Sequence, residues 1–300
     1  MLSLIIPTKN RPADLKNAIA SIVEQSIFPD ELIIVDQSHD LSSKMMVENI
    51  LDGIKNINLI YIYDVEISGL IEAKKVGVDN SCGDIICFIE DDVVLSSDYI
   101  EQITSGFSVN KSMLGCCGIM TNFNANSKFY LFVFELFHRG IFKDVRQRVT
   151  LGKVAKTFVL SDKLSGGISA WRREVFDYID FDVKNGFHML EDIEFSTRVY
   201  RYFNGRLFIN QKVRLAHYSS PIQRDGIFLQ KRRKSKECII YFKKRIGWEW
   251  SISSMLWLMM GMFFESIFIS LSIKSFSPLK GFLLGIRDGI LHKISLDSVS

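Results

Sequence analysis

Three consecutive carboxylates, Glu90, Asp91 and Asp92, follow an unbroken run of apolar and near-apolar residues at 85–89. Such a run is typical of a strand that is buried on both faces of a parallel sheet. Ligands of open α/β sheets bind at the carboxyl ends of the strands, and a divalent cation would relieve the repulsion among crowded carboxylates. The stretch therefore indicates a metal and phosphate site. The alternative that it leaves open is a strand that ends in an acidic, solvated turn.

Regularly spaced elements precede these carboxylates and would position them. Strand-like runs begin at intervals of 26 to 29 residues, the length of a βα unit. They occupy residues 2–7, 31–36, 57–63 and 84–90. After the first run, apolar residues fall on one face of a helix. These residues are Leu15, Ala18, Ile19, Ile22 and Val23. We expect Asn10 to be the N-cap of this helix and Pro12 to lie in its first turn, and residues 69–80 to form a shorter helix. The pattern predicts an α/β domain whose central sheet is mostly parallel.

Several classes of protein are excluded by composition and motifs. No GxGxxG motif follows the first strand and no GxxxxGK[ST] motif occurs, which argues against a Rossmann dinucleotide site and a P-loop. The five cysteines form no CxxC pair, so we expect reduced thiols in the cytosol and no zinc site. The net charge of +3 is too small to indicate nucleic-acid binding. Apolar sequence begins at Leu2 without a charged region or cleavage site, so we expect no signal peptide.

The C-terminal part of the chain is basic and then apolar. Residues 224–245 contain nine Lys and Arg residues, and residues 251–273 are long enough to span a bilayer, although Glu265 near their middle disfavours spanning. Trp residues suited to a membrane interface flank or begin this stretch. They are Trp248, Trp250 and Trp257. The chain's positive mean hydropathy of +0.13 agrees with membrane contact. We expect attachment to an anionic cytoplasmic leaflet. The alternative is a pair of apolar helices packed on the domain or on a second subunit of a homo-oligomer.

An aromatic stretch at residues 129–137 favours either a buried helix or a flap over an acceptor site.

Taken in order, the motifs of residues 1–220 resemble those of family 2 glycosyltransferases, which have the GT-A fold. The motifs are PTKNR after the first strand, VDQS after the second, GLIEAKK before the acidic strand, IEDD at its end, GG-x-x-A-x-R-R, an ED pair and a late His. The resemblance implies a GT-A nucleotide-diphospho-sugar transferase domain at residues 1–221. Residues 222–300 would form a helical, membrane-associated tail outside it.

The resemblance implies transfer of a sugar from a nucleotide-diphosphate sugar to an acceptor hydroxyl, with inversion at the anomeric carbon. The departing diphosphate needs a cation, Mg or Mn, and the hydroxyl needs a base. By match to the family, Asp92 would ligate the metal directly, and Asp91 would contact the ribose or reach the metal through water. Glu90 replaces the commoner Asp, and a solvated strand end is its alternative role. His217 would be a second metal ligand, and a purely structural His is its alternative.

Other positions would bind the nucleotide sugar. Asp36 would accept a hydrogen bond from the base, although Gln37 and His39 depart from the usual small residues. Thr8 and Arg11 would line the same pocket, unless Arg11 is a surface charge. Lys74 would approach the diphosphate as a point charge, and a solvated helix face is its alternative.

The acceptor side of the site follows from the later motifs. Gly166 and Gly167 would border the donor sugar and the acceptor, where the absence of Cβ atoms allows close approach, and an ordinary strand or turn glycine pair is the alternative. Asp192 would be the general base, and Glu191 would orient it or contact the acceptor. The alternative for the Glu191–Asp192 pair is a favourable interaction with a helix dipole.

These implications give the predicted function. The chain would be a hexosyl- or rhamnosyl-transferase at the cytoplasmic face of the inner membrane, acting on a lipid-linked glycan acceptor in O-antigen or capsule-like polysaccharide synthesis. The alternative is a non-catalytic membrane scaffold of the same fold that binds nucleotide sugars. A sugar nucleotidyltransferase would need a glycine-rich phosphate loop after the first strand, and residues 7–12, PTKNRP, contain no glycine.

Overall fold

Four parallel strands form the first half of the sheet, in the order β3-β2-β1-β4. They are β1 (Leu2–Thr8), β2 (Glu31–Asp36), β3 (Asn58–Tyr63) and β4 (Ile85–Phe88). This computed structural model describes residues 1–122, 132, 135–139, 144–220, 225–245 and 251–295. Every residue of β1 and β2 is buried, as expected for central strands of a sheet covered on both faces. The predicted α/β architecture is confirmed.

Three helices connect these strands: α1 (Pro12–Val23), α2 (Ser42–Leu51) and α3 (Leu70–Asp79). The apolar face predicted for α1 packs on the sheet through Leu15 and Ile19, which are fully buried. The prediction that Asn10 caps α1 is wrong, because Arg11 occupies the N-cap position. Asn10 adopts a φ of 52°, and its Oδ1 accepts a hydrogen bond from the backbone N–H of His39. Its side chain therefore joins the loops that follow β1 and β2.

The second half of the sheet is built from β5 (Val93–Leu95), β6 (Gly115–Met120), β7 (Phe158–Leu160), β8 (Ser169–Arg172) and β9 (Leu207–His217). Strand β8 pairs antiparallel with β4 and with β6, and the sheet continues through β9 to β5. The long strand β9 is parallel to β6 and antiparallel to β5 and β7. The end of β9, at His217, therefore lies next to the acidic residues that follow β4.

Helix α6 (Glu191–Tyr202) carries the ED pair at its start, and aromatic packing holds it against the sheet. Phe195 stacks on Phe181 with ring centroids 4.5 Å apart and meets Trp171 of β8 edge-on at 5.0 Å. Such pairs contribute about 0.5–1.5 kcal/mol each beyond the area that they bury. The remaining helices of this half are α4 (Tyr99–Val109) and α5 (Arg146–Thr150).

Three C-terminal helices pack on this domain: α7 (Ile227–Lys244), α8 (Ile252–Ser272) and α9 (Ser277–Leu291). A second hydrophobic cluster joins Ile239 and Ile240 of α7 to Leu190 and Ile193 beside the ED pair. Lys244, which is fully buried, lies 2.5 Å from the carboxylate of Asp182 and 2.6 Å from that of Glu194. The basic segment is therefore partly built into the interior of the protein.

Some predictions about the C-terminal part and the aromatic stretch fall outside the described residues. Most of the stretch at 129–137 does so, as do Trp248, Trp250 and residues 221–224 at the predicted domain boundary. Phe137 stacks on Trp257 of α8 at 4.9 Å. Within the described part of the chain, α8 is one helix that could cross a membrane by length and composition alone. The division of the chain at residue 221 stays a prediction.

Candidate active site

Strand register brings His217 to the acidic residues that follow β4. Strand β5 begins at Val93, directly after Asp92, and its antiparallel pairing with β9 sets Val93 opposite His217. The backbone N–H of Tyr218 donates to the carbonyl of Asp92 at 2.8 Å and continues this pairing. The two residues predicted to hold the metal are therefore neighbours on adjacent strands.

Glu90, Asp92 and His217 form a cluster that could hold a metal ion. His217 Nε2 lies 3.0 Å from Asp92 Oδ1 and 3.1 Å from Glu90 Oε2, and one ligand atom from each residue falls within 4.8 Å of the others. Two carboxylates and an imidazole suit Mn or Mg. The donor set therefore fits the predicted cation, and it includes Glu90, whose role the sequence left open.

The two carboxylates of this cluster have different environments. Burial raises the pKa of Glu90, and the charge of nearby Asp92 adds to the effect against the opposing influence of His217. Burial also raises the pKa of Asp92, but hydrogen bonds from His217 and from the backbone N–H of Ser220 outweigh it, so the pKa lies below its usual value. The Ser220 bond is 2.9 Å long. Asp92 is therefore held as a carboxylate, ready to accept a cation.

Asp91 points to the loop after β1. Its carboxylate accepts hydrogen bonds from Thr8 Oγ1 at 2.8 Å and from Arg11 Nη1 at 3.1 Å. Burial raises the pKa of Asp91 to about 6, against the lowering effect of these two partners. The structure thus brings together Thr8, Arg11 and Asp91, all of which the sequence assigns to nucleotide binding.

Asp36 is fully buried at the end of β2. Its carboxylate accepts hydrogen bonds from the backbone N–H of Ser38 at 2.9 Å and from the Tyr61 hydroxyl at 2.6 Å. Desolvation, together with the hydrogen bond to Asp36, raises the pKa of Tyr61. The next residue, Gln37, faces the neighbouring cleft, and its Oε1 accepts from Gly69 N at 3.0 Å. The predicted contact between Asp36 and a nucleotide base stays a prediction.

A cleft of about 640 Å³ opens over these residues. Its lining combines the loop after β1, the acidic cluster, the loop before α6 and the start of α7. The residues are Pro7, Thr8, Lys9, Arg11, Gln37, Gly69, Leu70, Glu90, Asp91, Asp92, His188, Met189, His217, Asp225, Gln230 and Arg233. The C-terminal region therefore contributes side chains to the cleft.

Gly166 and Gly167 lie between the acidic cluster and the ED pair. The carbonyl of Gly167 accepts a hydrogen bond from Glu90 N at 2.9 Å, and a Cβ atom at Gly167 would overlap the Glu90 side chain. A Cβ atom at Gly166 would lie 2.7 Å from Glu191 Oε1 and 2.8 Å from Asp192 Cβ. Only glycines allow these two groups of carboxylates to approach so closely.

Lys74 is buried beneath this glycine pair, with 2% of its surface exposed. Its Nζ lies 2.7 Å from Glu191 Oε1 and 3.1 Å from the carbonyl of Gly166. The alternative of a solvated helix face is therefore wrong for Lys74. Burial raises the pKa of Glu191 to about 7, against the lowering effect of Lys74. Lys74, which the sequence predicts to meet the diphosphate, is therefore paired with Glu191, the residue next to the predicted base Asp192.

Asp192 contacts an arginine that the sequence patterns do not predict. Arg146 Nη1 lies 2.6 Å from Asp192 Oδ2, while its Nε and Nη2 bind the carboxylate of Asp144 at 3.0 and 2.8 Å. Arg146 also donates to the carbonyl of Leu164 at 3.2 Å. Arg146 lies in an irregular part of the sequence where no motif or periodicity marks it.

Glu237 is a further buried carboxylate that sequence patterns do not predict at the site. Its Oε2 accepts hydrogen bonds from the backbone N–H groups of Met189 and Leu190, at 2.7 and 3.0 Å. Leu190 is the N-cap residue of α6. The one available signal was that Glu237 is an isolated acidic residue in a basic segment.

Comparison with known proteins identifies the family. The family model for glycosyl transferase family 2 matches residues 3–177, more than half of the chain. The chain belongs to glycosyl transferase family 2. An uncharacterized glycosyltransferase of Haemophilus influenzae is 28% identical over 102 residues, which are 34% of this chain and 40% of that protein. Glycosyltransferase GlyA of Streptococcus pneumoniae is 23% identical over 224 residues, 71% of this chain and 30% of that protein. This family 2 glycosyltransferase thus spans less than half the length of these relatives.

Solved structures share the fold of this family 2 glycosyltransferase. A mannosyltransferase from Pyrobaculum calidifontis, solved in complex with GDP-Man and Mn²⁺, has a TM-score of 0.62 at 13% identity, covering 97% of this chain and 87% of its own. Residues 1–349 of TarS from S. aureus have a TM-score of 0.54 at 13% identity, with 91% and 74% coverage. The predicted GT-A fold is thereby confirmed.

Proposed function

We propose that this family 2 glycosyltransferase is a metal-dependent, inverting enzyme that moves a hexosyl or rhamnosyl group from a nucleotide-diphosphate sugar to a hydroxyl of a lipid-linked glycan. The observation that carries the proposal is the placement of Gly166 and Gly167. They separate a cation-binding cluster, in which Glu90 lies, from the carboxylate of Asp192. A diphosphate on one side and an acceptor hydroxyl on the other would meet across this pair.

The donor would bind in the cleft with its diphosphate near the acidic cluster. Glu90, Asp92 and His217 would hold Mg or Mn. When bound, such a cation neutralises the charge that develops on the departing diphosphate. The structural neighbour from Pyrobaculum calidifontis was solved with GDP-Man and Mn²⁺, which supports a divalent cation in this role.

Cationic side chains in the cleft lining would add to the binding of the donor. Lys9 and Arg11 follow β1 and line the cleft with Thr8. Their charges attract phosphate oxygens, and Arg11 can offer more than one N–H group to them. Gln37 lines the cleft beside the buried Asp36, so both would lie near the nucleotide base.

Asp192 would serve as the general base. An oxygen of the acceptor hydroxyl attacks the anomeric carbon, the bond from that carbon to the diphosphate oxygen breaks, and the hydroxyl proton passes to the Asp192 carboxylate. A single displacement of this kind inverts the anomeric carbon. Arg146 fixes the orientation of the carboxylate through its 2.6 Å contact.

The C-terminal region supports the proposed acceptor and location. A basic segment followed by an apolar helix is attracted to anionic lipid, so we place the enzyme at the cytoplasmic face of the inner membrane. A lipid-linked glycan precursor of an O-antigen or capsule-like polysaccharide is the acceptor class that such a location supplies.

The test has a binding and a catalytic arm. Thermal unfolding of the full-length protein is measured with UDP, dTDP or GDP in the presence of Mg²⁺, Mn²⁺ or EDTA. The matching nucleotide should raise Tm only when a cation is present, because a ligand stabilises the folded state by mass action. Transfer from the corresponding sugar nucleotides is then measured for Asp192→Asn, with exposed Asp52→Asn as the matched control. We expect Asp192→Asn to bind the nucleotide normally and to lose transfer by about 10²–10⁴-fold. Binding without transfer in the unaltered protein would identify the scaffold alternative.

A further inference from the structure

Helices α8 and α9 pack against each other, with the rings of Phe263 and Phe282 6.1 Å apart, and together they expose an apolar face to solvent. Side chains along this face are between 51% and 73% exposed. We define the face by Leu256, Phe264, Phe268, Leu271, Leu283 and Ile290. The opposite side of α8 is buried through Leu258 and Met262 against the rest of the protein. An exposed apolar surface of this extent indicates a partner.

Basic residues share the apolar face of α9. Lys280 and Arg287 alternate with Leu283 and Ile290 at helical spacings of three and four, and both basic residues are exposed. The described residues between 225 and 295 hold twelve Lys and Arg against four Asp and Glu. A partner that is apolar inside and negatively charged at its surface therefore fits this face.

Glu265 does not prevent α8 from meeting lipid. Its Oε2 lies 2.7 Å from the Nζ of Lys231 on α7, and 24% of the Glu265 side chain and 7% of the Lys231 side chain are exposed. The charge in the middle of α8 is thus neutralised on the side that faces the protein. The exposed side of α8 carries no charged residue.

The same ion pair ties the middle of α8 to the catalytic cleft. Lys231 lies between Gln230 and Arg233 on α7, and both of these residues line the cleft. A bilayer-spanning α8 would carry α7 and these polar side chains into hydrocarbon, where no water satisfies their hydrogen-bonding groups. An α8 that lies parallel to the membrane avoids this cost.

We propose that the apolar face of α8 and α9 inserts in the plane of an anionic lipid leaflet, with Lys280 and Arg287 at the headgroups. This proposal rests on the membrane attachment included in the proposed function. It specifies that α8 lies on the bilayer and does not cross it. The cleft would then stay beside the membrane surface, because helix α7 carries both the cleft residues and the partner of Glu265.

Vesicle flotation of the full-length protein tests the surface. Neutral phosphatidylcholine vesicles are compared with vesicles that also contain phosphatidylglycerol. Phe268→Glu with Leu271→Glu should weaken partitioning to both by about 100-fold, since two apolar side chains leave the lipid. Lys280→Glu with Arg287→Glu should weaken binding to the anionic vesicles by about 30-fold, at roughly a tenfold loss per 1.4 kcal/mol.

Matched controls make the same chemical changes on other surfaces. Met45→Glu with Val109→Glu replaces exposed apolar residues of α2 and α4, and Lys16→Glu with Lys55→Glu reverses two exposed charges. Both controls should float like the unaltered protein. Equal losses in the controls and the test variants would overturn the assignment of this face.

Thiol labelling tests the orientation. Cys82, the one exposed cysteine of the five, is replaced by Ser, and Ser254→Cys or Ser272→Cys is introduced near either end of α8, because these two positions are five turns apart and point in the same direction outside the defined apolar face. Protein bound to the outside of sealed vesicles should react at both positions with an impermeant reagent. Protection of one end until detergent is added would show that α8 spans the bilayer and overturn the proposal.

Two further outcomes are separable. If Phe268→Glu with Leu271→Glu converts a dimer into a monomer while vesicle binding is unchanged, the face is a subunit interface and the proposal fails. Donor and cation binding, measured by Tm without lipid, is independent of this surface. A variant that no longer floats but still binds nucleotide and Mn²⁺ supports the membrane surface, whereas loss of nucleotide binding in the unaltered protein bears on the proposed function alone.

Discussion

Arg146 Nη1 lies 2.6 Å from Asp192 Oδ2, and the same guanidinium binds both carboxylate oxygens of Asp144. The carboxylate proposed as general base is therefore fixed by a cation from a separate part of the chain. Arg146 itself is held at a third point by the carbonyl of Leu164. Asp144, Leu164 and Asp192, which accept the hydrogen bonds of Arg146, all belong to the folded protein. The orientation of Asp192 is therefore set before the acceptor substrate binds.

Replacing Arg146 by Met should lower the kcat for transfer by about 100-fold while the KM for the donor changes little, since a misplaced catalytic group costs about this much. The donor-side cluster of Glu90, Asp92 and His217 is held by the pairing of β5 with β9 and should keep its Mn²⁺ affinity. Arg146→Lys retains the charge without the planar fork and should give an intermediate kcat. The check is steady-state kinetics with folding verified by urea unfolding. An unchanged kcat in folded Arg146→Met would show that Asp192 needs no such anchor.

Asp144 predicts a pH dependence of stability. Burial raises its pKa, but the charge and hydrogen bonds of Arg146 outweigh burial and lower the pKa to about 2 from 3.8. The folded state therefore binds the Asp144 proton more weakly than the unfolded state. The resulting stabilisation is present above pH 3.8 and is lost as pH falls towards 2.

Asp144→Asn should reduce the free energy of unfolding by about 2 kcal/mol at neutral pH, from the pKa difference at 1.36 kcal/mol per unit. The gap between this variant and the unaltered protein should narrow as pH falls below 3.8. Urea unfolding over this range measures both effects, with exposed Asp52→Asn as the control. A gap that stays constant with pH would mean that the Asp144 charge contributes nothing to stability.

Local patterns were sufficient to predict the first half of the fold. The strands β1 to β4 are short apolar runs at regular intervals, and the carboxylates follow β4 directly. The meeting of His217 with Asp92 is different, because it depends on the register between β5 and β9, strands far apart in sequence. The family resemblance placed His217 in the site, whereas no local pattern would have done so.

Lys74 and Lys75 show why single charges were hard to assign. They are adjacent in sequence, but successive residues of a helix point in different directions. Lys74 is buried against Glu191, whereas Lys75 is on the outside and binds Asp180 at 2.5 Å. Burial of this kind is decided by tertiary packing, and the same holds for Arg146 and Glu237.

Lys74→Met should destabilise the protein by about 3–5 kcal/mol, because it leaves the charge of Glu191 buried without a partner. The loss should be smaller on the acid side of pH 7 than on the alkaline side. Burial raises the pKa of Glu191 to about 7 even with Lys74 present, so without Lys74 the carboxyl stays protonated to higher pH. The loss of stability caused by burying this carboxyl without Lys74 therefore grows as pH rises.

A double-mutant cycle isolates the pair. Lys74→Met with Glu191→Gln should be less destabilised than the sum of the single variants, since the double variant buries no unpaired charge. Lys75→Met, which removes an exposed ion pair, should change stability by about 1 kcal/mol or less. Additive losses of stability on both the acid and the alkaline side of pH 7 would exclude a direct interaction between Lys74 and Glu191.

Glu237 links the C-terminal region to the helix that carries the proposed base. Its removal should disturb the position of Asp192 without changing the binding of Mn²⁺. It is 2% exposed, and its Oε2 accepts the backbone N–H groups of Met189 and Leu190 directly before α6. Glu237→Ala leaves these donors without their acceptor and should destabilise the protein by about 1–3 kcal/mol. It should also lower kcat by roughly tenfold, because α6 begins with Glu191 and Asp192 and small displacements of a catalytic group are costly.

The affinity for Mn²⁺ should stay unchanged in Glu237→Ala, since Asp92 and His217 are held by the pairing of β5 with β9. Glu237→Gln keeps one acceptor oxygen and should recover part of the lost kcat, whereas exposed Glu24→Gln should match the unaltered protein. A merely structural role would lower Tm in Glu237→Ala without changing kcat in the fraction that remains folded. A fall in kcat at constant Mn²⁺ affinity would show that α7 of the C-terminal region positions the helix that carries the proposed base.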